Sequence, residues 1–192
     1  MKRITLFALA FIAMTVAAFA SLVRFGGHRE GGAAAVAASP ARPAPVRGVV
    51  VPVAGVSPDT LADTWGQARS QGRSHQGIDI MAPGNTPVLA AADGVVEKLF
   101  LSKAGGLTLY QRSRDRLTTY YYAHLAGYAP GIAEGSALRA GQQIGFVGDT
   151  GNAGKGNTHL HFGITRTRPN ESWWDGQPVN PYPLLAPDKG NR

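Results

Sequence analysis

Beyond residue 48 the chain consists of short apolar runs separated by turns that contain glycine and proline. The runs recur about every 8–12 residues, with turn signals such as Pro83-Gly84, Asp93-Gly94 and Gly105-Gly106 between them. This pattern favours an antiparallel all-β architecture with short connecting loops. No segment has the period of an amphipathic helix of about ten residues or more. The predicted strands are Val49–Val53, Gly77–Ile80, Val88–Ala91, Gly94–Leu101, Leu107–Gln111, Leu117–Tyr122, Gln143–Val147 and His159–Ile164.

The first 23 residues have the composition of an export signal. Lys2 and Arg3 precede an uncharged, apolar stretch at residues 4–23. Ala18-Phe19-Ala20 has the small-x-small pattern of a signal-peptidase site, yet about 20 apolar residues also suffice for a helix that spans a bilayer. Cleavage after Ala20 and retention as an anchor in the inner (cytoplasmic) membrane both stay open. Either alternative predicts an exported protein of the periplasm or cell envelope, with an apolar N-terminal helix outside the fold.

Residues 24–48 are predicted to be a flexible tether. They are rich in Gly, Ala, Pro and Arg and have no periodic pattern of large apolar side chains. Such a segment cannot bury enough apolar surface to offset the entropy lost on ordering. The sequence therefore predicts four parts: an export segment at residues 1–23, the tether at residues 24–48, a β domain at residues 49–187 and a tail at residues 188–192.

Composition narrows the chemistry that any site can use. The chain has 192 residues, which is room for one ordinary domain of roughly 130–150 residues plus extensions. It has no cysteine, so disulfides, thiolate zinc sites and cysteine nucleophiles are excluded. A metal ion would have to be held by imidazole and carboxylate groups.

The net charge of +7 belongs mainly to the ends of the chain. Between Val51 and Pro187 there are eleven Lys and Arg against ten Asp and Glu, and the remaining excess of positive charge lies outside this range. A nucleic-acid-binding domain would carry a basic stripe on the fold itself, so no nucleic-acid partner is predicted. Basic ends instead suit attraction to an anionic membrane surface or to polyanionic wall polymers.

Four of the five histidines fall at three places that suggest a metal centre. His75 and Asp79 form a His-x-x-x-Asp pair, His159 and His161 form a His-x-His pair, and His124 follows three tyrosines. Neutral imidazoles and one carboxylate suit a zinc ion, and three protein ligands leave a fourth position open for water. Two further imidazoles would be placed to hold or move protons at neutral pH. The combination indicates a hydrolytic metal centre.

The spacing of these residues makes two structural predictions. His159 and His161 lie two residues apart in an apolar run, so on a strand both rings project from the same face. His75 and Asp79 would be about 13 Å apart on a straight strand, which is too far for one ion. The chain must therefore bend between them, and Gly77 is the residue that permits the bend.

Each of these signals has an alternative interpretation when taken alone. A His-x-His in a strand is also a common hydrogen-bonded pair, and a His-x-x-x-Asp occurs by chance on surfaces; their co-occurrence favours a site. The glycine-rich segment at residues 148–156 does not fit a phosphate-binding loop, because Asp149 stands where the first glycine is required and no Ser or Thr follows Lys155. It is predicted to be a turn beside the His-x-His strand.

Together these segments resemble the lysostaphin-like (LytM-type) zinc endopeptidases that cut peptidoglycan cross-bridges. The resemblance runs from about Trp65 to Leu185. Two details differ: one residue is inserted in the turn at residues 84–88, and the segment at residues 69–74 is short. Seven matching segments occur in family order: His75–Ile80, Ala82–Val88 with Ala91–Val96, Tyr122–Leu125, Gly141–Gly145, Gly148–Gly151, His159–Phe162 and Val179–Pro181.

The resemblance implies a zinc-dependent endopeptidase that holds one Zn²⁺ in a groove over antiparallel sheets. It implies that His75, Asp79 and His161 ligate the zinc and that His124 and His159 are catalytic, without deciding which of the two acts as base and which stabilises the oxyanion. The implied substrates are stem or bridge peptides of peptidoglycan, and the bond that is cut stays open. The family also contains members that have lost ligands, so the alternative is a wall-binding or activator module that regulates another cell-wall hydrolase. No ligand is missing here. The oligomeric state is not predicted.

Overall fold

The computed structural model describes residues 48–186. Nine strands and one short helix are connected by turns and loops, with two single 3₁₀ turns at Pro58–Thr60 and Ser70–Gly72. The strands are β1 (Ile78–Met81), β2 (Pro87–Leu89), β3 (Gly94–Ser102), β4 (Gly106–Ser113), β5 (Thr118–Tyr128), β6 (Ala137–Leu138), β7 (Gln143–Val147), β8 (His159–Arg166) and β9 (Gln177–Val179), and the helix α1 is Tyr182–Leu185.

All nine strands belong to one sheet in which every pair is antiparallel. The main strand order is β1-β8-β5-β4-β3-β6; β9 pairs with β8, and β7 joins β2 to the long strand β5. The strands β1, β8 and β5 lie side by side at one end of this order. The predicted all-β, antiparallel architecture is confirmed for the described residues.

Several sequence-based boundaries differ from the structure. The strand predicted at Val49–Val53 is wrong: the segment lies against β2 through a single bridge at Val53, and Pro52 has no N–H with which to continue a ladder. The prediction missed β6 and β9, which are only two and three residues long. The predicted N-terminal helix and the tether, apart from its last residue Gly48, lie outside the described residues. Within residues 48–186 no helix is long and apolar enough to cross a membrane.

The two faces of the central strands have different roles. On β8, Leu160 and Phe162 are fully buried in the core, while His159 and His161 project from the opposite face. Tyr121 of β5 lies on that same opposite face and lines a groove. The core face is made of apolar side chains from all the long strands, which are Ile78, Ile80, Val96, Leu109, Tyr120, Tyr122, Leu125, Ile144, Leu160, Phe162 and Ile164.

A buried arginine ties the sheet to the loop between β8 and β9. The Arg112 side chain is 0% exposed; its Nε donates to Glu97 Oε2 and its Nη1 donates to Thr167 Oγ1. A third bond runs from Nη2 to the carbonyl oxygen of Glu171 at 3.0 Å. Because a buried guanidinium is costly unless it is paired, this network fixes the loop against β3 and β4.

Replacing Glu97 with alanine is expected to lower the free energy of unfolding by about 3 kcal/mol, because it leaves the buried charge of Arg112 without its carboxylate. Urea unfolding of the purified chain measures this. Arg114→Ala is the matched control, since the Arg114 side chain is 71% exposed and its pair with Asp93 lies at the surface. Equal losses in the two variants would contradict the prediction.

Candidate metal centre

Three of the predicted residues bring one donor atom each to a common point. His75 Nε2 lies 2.9 Å from His161 Nδ1, and Asp79 Oδ1 lies 3.2 Å from each of these nitrogens. Ligands about 2.0–2.1 Å from a tetrahedral zinc ion are separated by about 3.3 Å. The triangle of donors therefore has the size of one face of a zinc tetrahedron, and two imidazoles with one carboxylate suit this metal. The residues fit one zinc ion.

Strand pairing places two of the three ligands. Asp79 of β1 lies directly opposite His161 of β8 in the antiparallel register, so their side chains meet on one face. His75 precedes β1 and reaches the same point because the chain bends before Ile78, as the sequence predicted. The spacing of four residues thus becomes a contact without any helix.

Gly77 allows this bend for a reason that the sequence did not indicate. Its φ is not in the left-handed region. A Cβ atom at this position would lie 2.6 Å from the carbonyl oxygen of Phe162 and 2.9 Å from the imidazole of His161. Glycine is therefore required because the backbone passes directly against a predicted zinc ligand.

Gly77→Ala is expected to weaken zinc binding by roughly 10- to 100-fold, because the new methyl group displaces the His161 ring; loss of groups that orient a ligand has effects of this size. Competition with a chromophoric chelator measures the dissociation constant. Gly84→Ala is the matched control, since a Cβ there meets only Thr158 Cγ2 at 3.4 Å, an ordinary contact. Unchanged affinity in Gly77→Ala would show that the ring has room to move.

Thr64 orients two of the predicted ligands. Its carbonyl oxygen lies 2.7 Å from His75 Nδ1, so this nitrogen donates and Nε2 keeps its lone pair for the metal. The Thr64 hydroxyl accepts a hydrogen bond from the backbone N–H of Asp79 at 3.0 Å. On the outer side of the carboxylate, Arg69 Nη2 donates to Asp79 Oδ2. These contacts hold the ligands before any metal binds.

A β-bulge directs His124 into the groove. Between two regular pairs of β4 and β5, one residue of β4 lies opposite two residues of β5, Ala123 and His124. His124 has a φ of 62°, in the left-handed region that non-glycine residues seldom adopt. Ala123 and His124 both line the groove, whereas the next residue, Leu125, is fully buried in the core. The extra residue thus turns the histidine out of the core face.

His124 and His159 present the same tautomer toward the metal ligands. Nδ1 of His124 donates to the carbonyl oxygen of Thr150 at 2.8 Å, and Nδ1 of His159 donates to that of Asn157 at 2.8 Å. Each ring therefore keeps an unprotonated Nε2. The ring centroids are 4.9 Å apart, and His159 Nε2 lies 3.7 Å from Asp79 Oδ1. Two proton acceptors stand beside the predicted zinc position.

Burial and hydrogen bonding set the charge states of the metal-free site. Burial lowers the pKa of His124 to about 4, against the opposing hydrogen bond to Thr150. Burial also lowers the pKa of His161. For Asp79, burial alone would raise the pKa, but the neighbouring side chains of His161, His75 and Arg69 outweigh it and hold the pKa far below its ordinary value. Neutral imidazoles and an ionised carboxylate are the forms that bind zinc.

The metal-free protein is expected to become less stable as the pH falls from about 6.5 toward 4. In this range the unfolded chain protonates His124 and the folded chain does not, so stability present above pH 6.5 is lost on acidification, by up to about 3 kcal/mol. Urea unfolding in chelator at pH 7 and pH 4.5 measures the loss. The His124→Asn variant should lose less, because asparagine does not titrate and tolerates a left-handed backbone. An equal loss in both proteins would contradict the assignment.

The site lies in a groove of about 660 Å³. One wall is the hairpin at residues 66–75, which carries Arg69 and Arg73. The opposite wall is the loop at residues 148–158, the predicted turn beside the His-x-His strand, which contributes Asn152 and Asn157. Tyr121 forms part of the floor. The side chains that line the groove are a mixture of charged, polar and small apolar groups.

The structure brings all five predicted site residues together. Sequence reasoning missed the groups that orient them: the carbonyl oxygens of Thr64, Thr150 and Asn157 and the guanidinium of Arg69. Every residue has a carbonyl oxygen, so no side-chain pattern marks the first three. Arg69 stands six residues before His75, at the start of the short segment at residues 69–74. Its position close to a predicted ligand was the only sequence signal that it could contact the site.

The model of peptidase family M23 matches residues 73–181 of this chain. The L-Ala–D-Glu endopeptidase of Bacillus subtilis is 39% identical over 129 residues, which are 64% of this chain and 38% of that protein. The DD-carboxypeptidase/endopeptidase Mpg of Neisseria meningitidis is 40% identical over 117 residues, which are 60% of this chain and 24% of that protein. The chain thus spans well under half the length of these two relatives.

Solved structures have the same fold. The catalytic domain of lysostaphin from Staphylococcus simulans matches 66% of this chain with a TM-score of 0.56 and 27% identity, and the match covers 92% of that domain. The two chains therefore share nearly the whole of the lysostaphin catalytic domain.

Proposed function

The chain belongs to peptidase family M23, and from this membership and the geometry of the metal centre we infer that it is a zinc-dependent endopeptidase that hydrolyses peptide cross-links of bacterial peptidoglycan. The observation that carries the proposal is the triangle of His75 Nε2, Asp79 Oδ1 and His161 Nδ1 beside two free imidazole nitrogens. A module that only binds the wall has no need for proton acceptors next to a metal site.

His75, Asp79 and His161 would hold the zinc ion. When bound, zinc supplies a Lewis acid that polarises the scissile carbonyl and lowers the pKa of a water molecule toward neutrality. The protein contributes the geometry: Thr64 fixes the His75 tautomer, and Arg69 holds the outer oxygen of Asp79, so that the second oxygen faces the ligand triangle.

His124 and His159 would accept and donate protons during hydrolysis. Each has Nδ1–H bonded to a backbone carbonyl oxygen, so each Nε2 can accept a proton from the attacking water and afterwards donate it to the leaving amine. A protonated imidazole at either position also stabilises the negative charge that develops on the carbonyl oxygen. The low pKa of His124 suits this role at neutral pH, since an imidazole that is neutral at rest is ready to act as the base.

Direct cross-links between stem peptides are the substrate that we propose, in the envelope of the cell that makes the enzyme. The Bacillus relative is named an L-Ala–D-Glu endopeptidase and the Neisseria relative a DD-carboxypeptidase/endopeptidase, so both names specify bonds that involve D-amino acids and neither specifies a glycine bridge. Export by residues 1–23, with cleavage after Ala20 or anchoring to the inner membrane, and a tether at residues 24–48 would keep the domain close to the wall.

Digestion of defined cross-linked muropeptides, with the products identified by mass, tests the proposal. Zinc-loaded protein is expected to cut a direct stem-peptide cross-link, and chelation should stop the reaction until zinc is restored. Release of glycine from a pentaglycine bridge, with direct cross-links untouched, would refute the substrate assignment. Stoichiometric zinc without hydrolysis of any peptidoglycan, together with stimulation of a partner amidase, would instead establish the activator alternative.

A further inference from the structure

Two arginines face the groove from the same hairpin. Residues 66–75 fold back on themselves through a bridge between Ala68 and Ser74, with a 3₁₀ turn at Ser70–Gly72. The backbone N–H of Arg69 donates to the carbonyl oxygen of Arg73 at 2.8 Å, so the two arginines are paired across the hairpin. Both line the groove that contains the metal centre. The hairpin thus holds two positive charges along one wall of the groove.

Most donors of these guanidinium groups are available to a ligand. Arg69 Nη2 donates to Asp79 Oδ2 and lies 2.8 Å from His75 Nδ1, whereas within residues 48–186 its Nε and Nη1 have no acceptor; its side chain is 37% exposed. Arg73 reaches only Ser70, through two long contacts of 3.4 Å to the carbonyl and hydroxyl oxygens. A guanidinium group offers five N–H donors, and here most of them point to no protein partner in the described chain.

The charge of the groove is positive, unlike that of the domain as a whole. Among the residues that line it, Arg69 and Arg73 face a single carboxylate, Asp79. The lining therefore has a net charge of +1 with neutral histidines, and a bound divalent zinc ion raises it to +3. Residues 51–187 have a charge balance of only +1 in total. The positive potential is concentrated where the substrate must lie.

We propose that Arg69 and Arg73 form a carboxylate subsite that binds a free carboxyl group of the substrate peptide close to the scissile bond. The proposal rests on the proposed function and narrows its substrate class to acidic peptides. The planar guanidinium group matches a carboxylate in shape and forms charge-assisted hydrogen bonds to it. Cross-links made only of uncharged residues, such as glycine bridges, would leave both arginines without a partner and bind more weakly.

Paired substrates test the subsite. A purified cross-linked muropeptide is compared with the same compound after carbodiimide and ammonia have converted its free carboxyl groups to amides. For the zinc-loaded chain, we expect kcat/KM to be roughly tenfold lower on the amidated form, the size of one lost charge-assisted hydrogen bond. The preference should shrink as salt is raised, because partly exposed charges are screened.

Variants connect the preference to the hairpin. Arg73→Gln should reduce cleavage of the acidic form by about tenfold and leave the amidated form nearly unchanged, so that the two rates converge. Arg73 touches no predicted zinc ligand, and zinc content should stay at one ion per chain. Arg139→Gln is the matched control, since Arg139 is exposed and lies outside the groove. This variant should prefer the acidic over the amidated muropeptide as strongly as the unmodified chain does.

Binding gives a readout that does not depend on hydrolysis. Calorimetric titration of the zinc-loaded His124→Ala chain with each muropeptide should show tighter binding of the acidic form, and Arg73→Gln in that background should remove the difference. Equal binding and equal cleavage of both forms would overturn the subsite while leaving the endopeptidase intact. Preferential binding of the acidic form without cleavage of either form by the unmodified chain would support the subsite and refute the proposed function.

Discussion

The His161→Ala variant is expected to lose zinc binding and peptide hydrolysis together. His161 Nδ1 completes the donor triangle, and without it two protein ligands remain, fewer than any stable zinc site uses. Zinc affinity should fall by more than about 100-fold, since even the loss of a group that orients a ligand costs 10- to 100-fold. Hydrolysis should fall by at least about a thousandfold, because the metal provides several kcal/mol of transition-state stabilisation.

Metal analysis after gel filtration and muropeptide digestion measure both effects. Circular dichroism controls for the fold, which should persist because His161 projects into the groove and not into the core. The Arg139→Gln chain, altered at an exposed residue outside the groove, should keep one zinc ion and full activity. A His161→Ala chain that still held stoichiometric zinc and cleaved cross-links would show that the ion binds elsewhere.

The His124→Ala and His159→Ala variants should separate catalysis from metal binding. Both side chains stand beside the donor triangle without closing it, so each variant is expected to keep one zinc ion. Each should lower kcat by about 10²- to 10⁴-fold, the usual contribution of a general acid or base. If the two rings act on the same proton path, the double variant should be little worse than the poorer single one.

Measuring kcat and KM separately makes the test specific. Groups that act only in the transition state lower kcat and leave KM nearly unchanged, whereas loss of groove shape would raise KM. Loss of zinc from either variant would move that histidine into the ligand set. Full activity in His124→Ala with zinc present would remove it from the mechanism.

The site residues could be predicted from sequence because strand periodicity and ligand chemistry point the same way. His159 and His161 share a face on any strand, whatever its neighbours, and cysteine-free composition restricts the metal to imidazole and carboxylate ligands. The bend between His75 and Asp79 also followed from distance alone. These inferences needed no knowledge of which strands pair.

Features of the site and the sheet that depend on which strands pair could not be predicted from the sequence. The role of Gly77 arises from a residue 85 positions further along the chain, since its missing Cβ makes room for the backbone of Phe162. The rotation of His124 depends on a mismatch of one residue between β4 and β5, which no run of side chains encodes. The short strands β6 and β9 exist because long neighbours offer free edges, so tertiary context decides them.

The left-handed backbone of His124 sets catalytic activity against stability during the evolution of such a chain. Histidine at this φ costs of order 1–3 kcal/mol, which asparagine or glycine would largely avoid. Selection for hydrolysis therefore opposes selection for stability at this codon. In a duplicated copy freed from its catalytic task, drift at position 124 would favour these two residues. An inactive copy with either residue at position 124 should then be more heat-resistant than the same chain with His124.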